Sequence, residues 1–260
     1  MKVIKLRLVG GLGNQLFQFT FALAVKEKFD FQAIEIDISD MANYKENWGF
    51  LLYEILDEDK LSKIIRIKKS RLLKLRLARI LSYTRTFGQK LGLISDRNGY
   101  DILNMNKKVK NNNLYIDGYF EYKDKLELYL KTIKPYLRSD LLIPISDSVL
   151  VVNVRGGEFL NIGRSSFEDK KNYSELISKA LANIKNPQIH VVSDDNPFAK
   201  QLLEDICSVD VYHEPSPFDN FRTIYSAKHK IIARSTFSKW AGYLSSDFSK
   251  IYWLEQNGIR

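Results

Sequence analysis

The sequence predicts an α/β protein made of two consecutive halves, and three observations carry that expectation. The chain opens as strand, glycine-rich turn, helix and strand. A second series of the same kind starts at Val149. Between them, Ser139 to Ser148, which includes Pro144, has the composition of a linker. Strands that alternate with helices build parallel sheets through right-handed crossovers. The boundary is placed at 145/146, giving units of residues 1–145 and 146–260.

Lys2 to Val9 alternates basic and apolar residues, the pattern of a first strand. Gly10-Gly11-Leu12-Gly13 interrupts it, and Asn14 is placed to cap the helix that follows. Leu16, Phe17, Phe19, Thr20, Leu23, Ala24 and Lys28 describe that helix, with its apolar side on the sheet. Ala33 to Ile38 is the next strand. The glycine turn is not the dinucleotide fingerprint, because Gln15 and Leu16 occupy the region of the third glycine. It is either a plain tight turn or a set of N–H groups at a helix start, suited to an anion or a sugar hydroxyl.

Lys60 to Lys90 is rich in Lys and Arg and holds no acid. Within it, Leu73, Leu77, Ile80 and Leu81 fall on one helical stripe. The segment reads in two ways. It is an amphipathic helix on an anionic membrane, at about 1 kcal/mol per well-placed Lys or Arg. Or it is a helix packed on its own domain with a solvated basic face. Asp57-Glu58-Asp59 has the acid-x-acid spacing of some metal sites, but it lies between Leu56 and Lys60 in helix-like surroundings and reads as a solvated helix face. His190, His213 and His229 have neither paired spacing nor a cysteine partner, so no metal site is expected. Leu114 to Ile116 is a strand followed by Gly118-Tyr119-Phe120, and Glu121 to Lys134 is a helix stopped by Pro135.

The second half begins with an apolar strand from Val149 that carries Asn153 and Arg155, then Gly156-Gly157 and Glu158. In an open α/β sheet, ligands sit outside the carboxyl ends of the strands. An arginine there suits a phosphate, because its planar fork donates to two oxygens at once. The glycines let the backbone come close. Taken alone, the stretch is also a strand, a Gly-Gly turn and a surface charge. Two further strand ends change that weighting. Ile189 to Val192 runs into Ser193-Asp194-Asp195, and Lys230 to Ala233 runs into Arg234-Ser235-Thr236-Phe237-Ser238. The acids accept from a base edge or a sugar hydroxyl, or they cap the helix Phe198 to Ile206. Ser235 and Thr236 form an anion site, or they cap a helix with Phe237 and Trp240 in the core. The remaining helix spans Ser174 to Ile184. An Arg, a pair of Asp and a Ser-Thr at three strand ends of one half are what a nucleotide pocket needs.

Composition narrows the partners. The chain has 260 residues and a formal net charge of +9, which favours an anionic partner: nucleic acid, nucleotide or membrane surface. A nucleic-acid surface interleaves aromatics with its basic residues. Only Tyr83 and Phe87 lie near the basic stretch, so no nucleic acid is expected. A 45% hydrophobic and 12% aromatic content argues against disorder. Cys207 is the only cysteine, which points to a reducing compartment. Met1 to Val9 is too short and too interrupted by Lys2, Lys5 and Arg7 for a leader, and no apolar run reaches the ~18 residues of a spanning helix. A cytoplasmic protein is expected, with peripheral contact to the inner membrane face through 60–90 as an option.

Four stretches, in order along most of the chain, resemble one family. Gly10-Gly11-Leu12-Gly13-Asn14-Gln15-Leu16-Phe17-Gln18 is similar to the N-terminal signature of the bacterial α-1,2-fucosyltransferases. Asp117-Gly118-Tyr119-Phe120 resembles their mid-chain element, Val191-Val192-Ser193-Asp194-Asp195 their second C-terminal motif, and His229 to Leu244 their third. Against the family hallmark His-x-Arg-Arg-Gly-Asp, this chain has Asn153-Val154-Arg155-Gly156-Gly157-Glu158. The first arginine is kept as Arg155. The second is Gly156, and one donor to the diphosphate goes with it. A related sugar on the same nucleotide, such as colitose, therefore stays open beside L-fucose, and so does a non-catalytic binder of the sugar nucleotide, which donor turnover separates from an enzyme.

The resemblance implies a GT-B architecture: two Rossmann-like domains facing a cleft, the C-terminal one binding the donor, and an inverting transfer without metal. Arg155 would hold the diphosphate of a GDP-sugar, with Asn153 beside it. Asp195, together with Asp194, would read guanine or ribose, and Ser235, Thr236 and Phe237 would line phosphates and base. Gly11, Asn14 and Gln15 would face the cleft from the acceptor side. The acceptor would be a galactose-type hydroxyl of an oligosaccharide, lipid-linked in one version, in surface-polysaccharide or O-antigen assembly. Without a metal, Arg155 and helix N-termini stabilise the leaving diphosphate. Glu158 and Asp37 are the candidates for a base, and each can equally be a structural acid.

Overall fold

A computed structural model describes residues 2–41, 49–68, 92–96, 102–104, 112–157, 170–245 and 250–254. The chain divides into two compact units, Met1–Arg138 and Ser139–Arg260. The second unit thus takes in the segment that reads as a linker, and it begins ahead of the 145/146 boundary.

The first unit is built on five parallel strands: β1 (Val3–Arg7), β2 (Ala33–Asp37), β3 (Ile65–Lys68), β4 (Leu93–Ile94) and β5 (Asn113–Ile116), in the order β3-β2-β1-β5-β4. The central strand, β1, pairs with β2 on one side and β5 on the other. Strand order reverses between β1 and β5, so the topological switch point lies there. Helix α1 (Leu12–Phe29) starts directly after Gly10, whose φ of 79° turns the chain out of the sheet. Its N-cap is Gly11, which makes no side-chain cap. Asn14 lies inside the helix and does not cap it, contrary to the sequence reading. The helix also buries far more than one side. From Leu12 to Val25 every residue except Asn14 is buried, because α1 packs on β1 and β2 and also on α4 (Leu126–Ile133). It stops at Asp30 in the left-handed conformation.

Two short helices follow β2, α2 (Leu52–Ile55) and α3 (Glu58–Ser62). Asp57 caps α3 by accepting the Lys60 N–H at 3.0 Å, and Glu58 and Asp59 fill its first turn, where acids suit the positive end of the helix dipole. The basic stretch is not helical throughout: its start is α3 and the edge strand β3. The Leu73–Leu81 stripe falls outside the described residues. The helix expected from Glu121 forms later, as α4, between 3-10 turns at Lys123–Lys125 and Lys134–Tyr136.

The second unit repeats the scheme. Strands β6 (Val149–Val154), β7 (Gln188–Ser193), β8 (Val211–Tyr212), β9 (His229–Ile232) and β10 (Ile251–Trp253) form a parallel sheet in the order β10-β9-β6-β7-β8. All six residues of β6 are buried, as expected for a central parallel strand covered on both faces. The helices are α5 (Lys170–Leu181), α6 (Asn196–Leu203), α7 (Pro217–Ser226) and α8 (Thr236–Leu244). Leu150, Val152 and Val154 pack with Tyr173 and Ile177 of α5 and with Phe198 and Leu202 of α6. Here the switch point lies between β6 and β9. Among the described residues no helix is long and apolar enough to cross a membrane.

Candidate functional site

The carboxyl ends of β6, β7 and β9 lie side by side, and they carry the residues singled out by the sequence. Asn153 comes first, because it holds the three strands together. Its Nδ2 donates to Val192 O on β7 at 3.0 Å, and its Oδ1 accepts the Ala233 N–H beyond β9 at 3.2 Å. Tyr173 Oη donates to Asn153 O at 2.8 Å from α5. Asn153 is buried, so both ends of its amide answer backbone groups that the ladder leaves over. In the fold Asn153 thus acts as a clamp between strand ends.

Two residues on, Arg155 forms an ion pair with Asp194 from the end of β7. The same carboxylate accepts the Gly156 N–H at 2.8 Å. Asp195 accepts the Gly157 N–H at 3.3 Å and the Phe198 N–H at 3.0 Å, the second bond capping α6. The two acids therefore organise the Arg-Gly-Gly turn, and Asp195 also starts a helix. The glycines are a steric requirement. A Cβ at Gly156 would lie 2.7 Å from Asp195 Cβ and 3.0 Å from Phe198 Cδ1. Gly157 has φ of 51°, and a Cβ there would lie 2.8 Å from Asp194 Oδ2. Glu158 lies outside the described residues.

At the third strand end, Ser235 is the N-cap of α8. Its Oγ accepts the Ser238 N–H at 3.1 Å and lies 3.0 Å from Ser238 Oγ. Its hydroxyl is buried and spent on the helix, which is the capping alternative of the sequence reading. Thr236 and Phe237 open the helix at intermediate exposure, and Phe237 packs edge-on against Phe221 at 5.6 Å.

In the first unit, the residues assigned to the acceptor side divide. Gly11 and Asn14 are partly exposed at the start of α1. Gln15 is fully buried: its Nε2 donates to Gly10 O at 2.8 Å and Gly49 O at 2.9 Å, and its Oε1 accepts the Leu51 N–H at 2.9 Å. It pins the turn to a neighbouring loop, so it is not the ligand-facing side chain expected. Asp37 is buried at the end of β2 and accepts the Ser39 N–H at 2.9 Å, a local turn bond. Among the described residues no three His, Cys, Asp or Glu side chains gather as a metal-binding group.

Three further residues shape the turns beside these strand ends, and little in the sequence points to them. Gln18 clamps Val9 through both ends of its amide, at 2.9 and 3.0 Å, and the only sequence signal was a second buried-face glutamine three residues after Gln15. Asp96 accepts the Tyr119 N–H at 2.6 Å, and its carboxylate fills the space where Gly118 would carry a Cβ. No local pattern links Asp96 to Gly118. Phe120 has φ of 55° and stacks on Phe21 at 3.9 Å, so this motif holds a strained backbone in place.

Against this geometry stand the likenesses to known proteins. The model of glycosyl transferase family 11 matches residues 102–257. The O-antigen biosynthesis glycosyltransferase WbnK of Escherichia coli is 25% identical over 277 residues, spanning 94% of this chain and 91% of its own. The structure of NodZ α-1,6-fucosyltransferase, a Bradyrhizobium protein, co-crystallised with GDP is similar at TM-score 0.55 and 13% identity, over 94% of this chain and 92% of that one. POFUT1 in complex with GDP is similar at TM-score 0.56 and 10% identity, over 96% and 97%. At such identities the structural likeness speaks to the fold, which is the GT-B class with two Rossmann-like units.

Proposed function

The chain belongs to glycosyl transferase family 11, and from that premise we propose that it transfers L-fucose from GDP-L-fucose, with inversion, to a galactose-type hydroxyl. The product is an α-1,2 linkage on a surface polysaccharide or O-antigen repeat unit. The second unit binds the GDP-sugar and the first takes the acceptor. One observation carries this reading: Arg155, the Asp194–Asp195 pair and the start of α8 come from three neighbouring strand ends to one edge. The GDP-bound state of NodZ and POFUT1 supports a GDP donor, and the O-antigen role of WbnK supports the acceptor class.

The chemistry follows from charge. As the glycosidic bond breaks, the diphosphate gains negative charge that fixed donors must meet. Arg155 has five N–H donors, so its pairing with Asp194 orients the fork and still leaves donors for phosphate oxygens. The N-termini of α6 and α8 add partial positive charge. No metal takes part in this scheme. Asp37 is held in its own turn, which leaves Glu158, the residue after Gly157, as the remaining candidate base. The hallmark differences at positions 153, 156 and 158 favour one second reading, a related GDP-linked deoxysugar such as colitose as donor. Contact of 60–90 with the inner face of a membrane would bring the enzyme to a lipid-linked acceptor, and liposome flotation with anionic lipid at low and high salt tests it.

Isothermal titration decides the donor site. GDP is expected to bind with EDTA present, UDP not, and Arg155→Ala to lose about 2 kcal/mol or more, as truncating a charged hydrogen-bond partner does. Failure of wild type to bind GDP would sink the proposal. Turnover of GDP-fucose against GDP-colitose on lactose then separates the two donors.

A further inference from the structure

We propose that Tyr119 is an aromatic platform for the acceptor galactoside, with the apolar face of the sugar ring stacked on the phenol ring. The inference rests on the fucosyl-transfer reading above and adds to it a specificity-determining residue in the first unit, one that neither the motif match nor the strand ends of the second unit supplied.

Position comes first. Strand β5 ends at Ile116, and Tyr119 follows shortly after it, at the carboxyl edge of the first sheet. β5 borders the gap to β1 at which the strand order of that sheet reverses, the place where open α/β sheets take ligands. Tyr119 is 47% exposed, and among the described residues no other Phe, Tyr or Trp is exposed. One exposed ring would mean little by itself. What sets Tyr119 apart is how its backbone is held. Asp96, just past the end of β4, accepts the Tyr119 N–H at 2.6 Å and the Phe120 N–H at 3.4 Å through one carboxylate oxygen. Gly118 makes room for that carboxylate, since a Cβ there would lie 2.6 Å from Asp96 Cγ. On the other side Phe120 is fully buried at φ of 55°. Its ring stacks on Phe21 at 3.9 Å, and its carbonyl accepts from Tyr129 Oη at 3.0 Å.

An acid, a glycine and a strained phenylalanine thus fix the two neighbours of the one exposed ring. A side chain at positive φ persists only where its surroundings hold it there, and such residues cluster at ligand sites. The gain from this arrangement is preorganisation: a ring on a rigid backbone has little freedom left to lose when a ligand covers it. The chemistry of the ring selects the ligand. Tyrosine offers a broad apolar face with a hydroxyl at its rim. The axial 4-hydroxyl of galactose gathers the neighbouring C–H bonds on the opposite face of the sugar, and that apolar patch lies flat on an aromatic ring. Glucose, with the same hydroxyl equatorial, has a less continuous patch. Tyr119 therefore favours a galactose-type acceptor over its glucose-type isomer.

The test measures transfer from GDP-fucose to lactose and GDP binding by isothermal titration, on wild type, Tyr119→Ala, Tyr119→Leu and Tyr119→Phe, with thermal melts to show that each is folded. Tyr119→Ala should raise the KM for lactose about 10-fold, as loss of a stacked ring does, with a smaller change in kcat and none in GDP affinity. Tyr119→Leu, apolar but not flat, should behave like Tyr119→Ala and replaces it if that variant does not fold. Tyr119→Phe should keep the wild-type KM. A KM that does not move in Tyr119→Ala and Tyr119→Leu, or a matching loss of GDP affinity, overturns the assignment and leaves the fucosyl-transfer reading standing. Saturation-transfer NMR with methyl β-galactoside and methyl β-glucoside needs no donor and separates the two ideas. Wild type should saturate the galactoside more strongly, and Tyr119→Ala should lose that signal. If wild type binds no GDP and transfers nothing while this signal depends on Tyr119, the fucosyl-transfer reading falls and the galactoside platform stands. Signals that are absent in wild type, or equal in wild type and Tyr119→Ala, overturn the platform.

Discussion

The two sheets share a central first strand, and they differ in the order of their last two strands and in the charges at the end of the central one. In each, the first strand is central and an arginine stands at its carboxyl end: Arg7 closes β1 and Arg155 follows β6. In the first unit the switch point is closed by a salt bridge. Arg7 donates through Nε to Asp40 at 2.7 Å and through a terminal nitrogen to Asp117 of the facing strand end at 3.0 Å. Burial lowers its pKa, and the pairing with Asp117 and Asp40 outweighs that and leaves it raised. In the second unit the acid partner of Arg155 is Asp194 from the end of β7, on the side away from the switch point. The side chain of Arg7 is 14% exposed against 22% for Arg155. The lesson is that an arginine at a strand end is not by itself an anion site. Arg7, held by acids on both sides, is a structural tie.

Arg7→Met is expected to have the largest effect on stability. It leaves Asp40 and Asp117 close together without a cation and should cost about 2–3 kcal/mol in urea unfolding, below the 3–5 kcal/mol of a fully buried pair. GDP affinity should not change, and a drop in it would break the contrast between the units. Asn153→Ala comes next. It strands the Val192 carbonyl and the Ala233 N–H between three strands, and a loss of about 1–3 kcal/mol is expected in the same measurement. Gly156→Ala should cost about 1–2 kcal/mol through overpacking against Asp195 and Phe198. Gly156→Arg, which restores the hallmark residue, should bring no gain in GDP affinity by titration, because even a Cβ there meets Asp195 and Phe198; a gain would show that the turn makes room for a side chain. Ser235→Ala removes the cap of α8 and should lower stability by about 1 kcal/mol.

The smallest effect is a pH dependence in the second unit. His190 and His213 meet at 3.3 Å between ring nitrogens. Burial lowers the pKa of His190, with Asp210 opposing, and burial lowers that of His213, with His190 adding to it. The unfolded chain then binds more protons than the folded one. The contribution is complete above an ordinary histidine pKa of about 6.5 and is lost as pH falls below it. Thermal melts between pH 7.5 and 5 should show the decline, and replacing both histidines by Gln should flatten it.

Much of this architecture is present in the order of residues. The strands β1, β2, β5, β6, β7 and β9 announce themselves as short apolar or alternating runs, and each ends in a glycine or a polar cluster. The edge strands are not announced. β4 and β8 have two residues each and β10 has three, too few to set a period, so their pairing partners alone make them strands. β3 lies within a run of basic residues that reads as helix until Ile65 and Ile67 are seen paired beside β2. The same division holds at the site. That Arg155, Asp194, Asp195 and Ser235 follow strands is a matter of local sequence. Whether a polar side chain there faces a ligand or an orphaned backbone group depends on what lies beside it in space. Gln15, Asn153, Asp37 and Ser235 all turned inward, because an unpaired buried N–H or C=O costs more than an exposed polar side chain gains. The sequence determined the alternating α/β order and the chemistry at each strand end. Only the tertiary structure decided which strand ends are neighbours, since that order follows from the crossover on either side of the central strand and not from any local pattern.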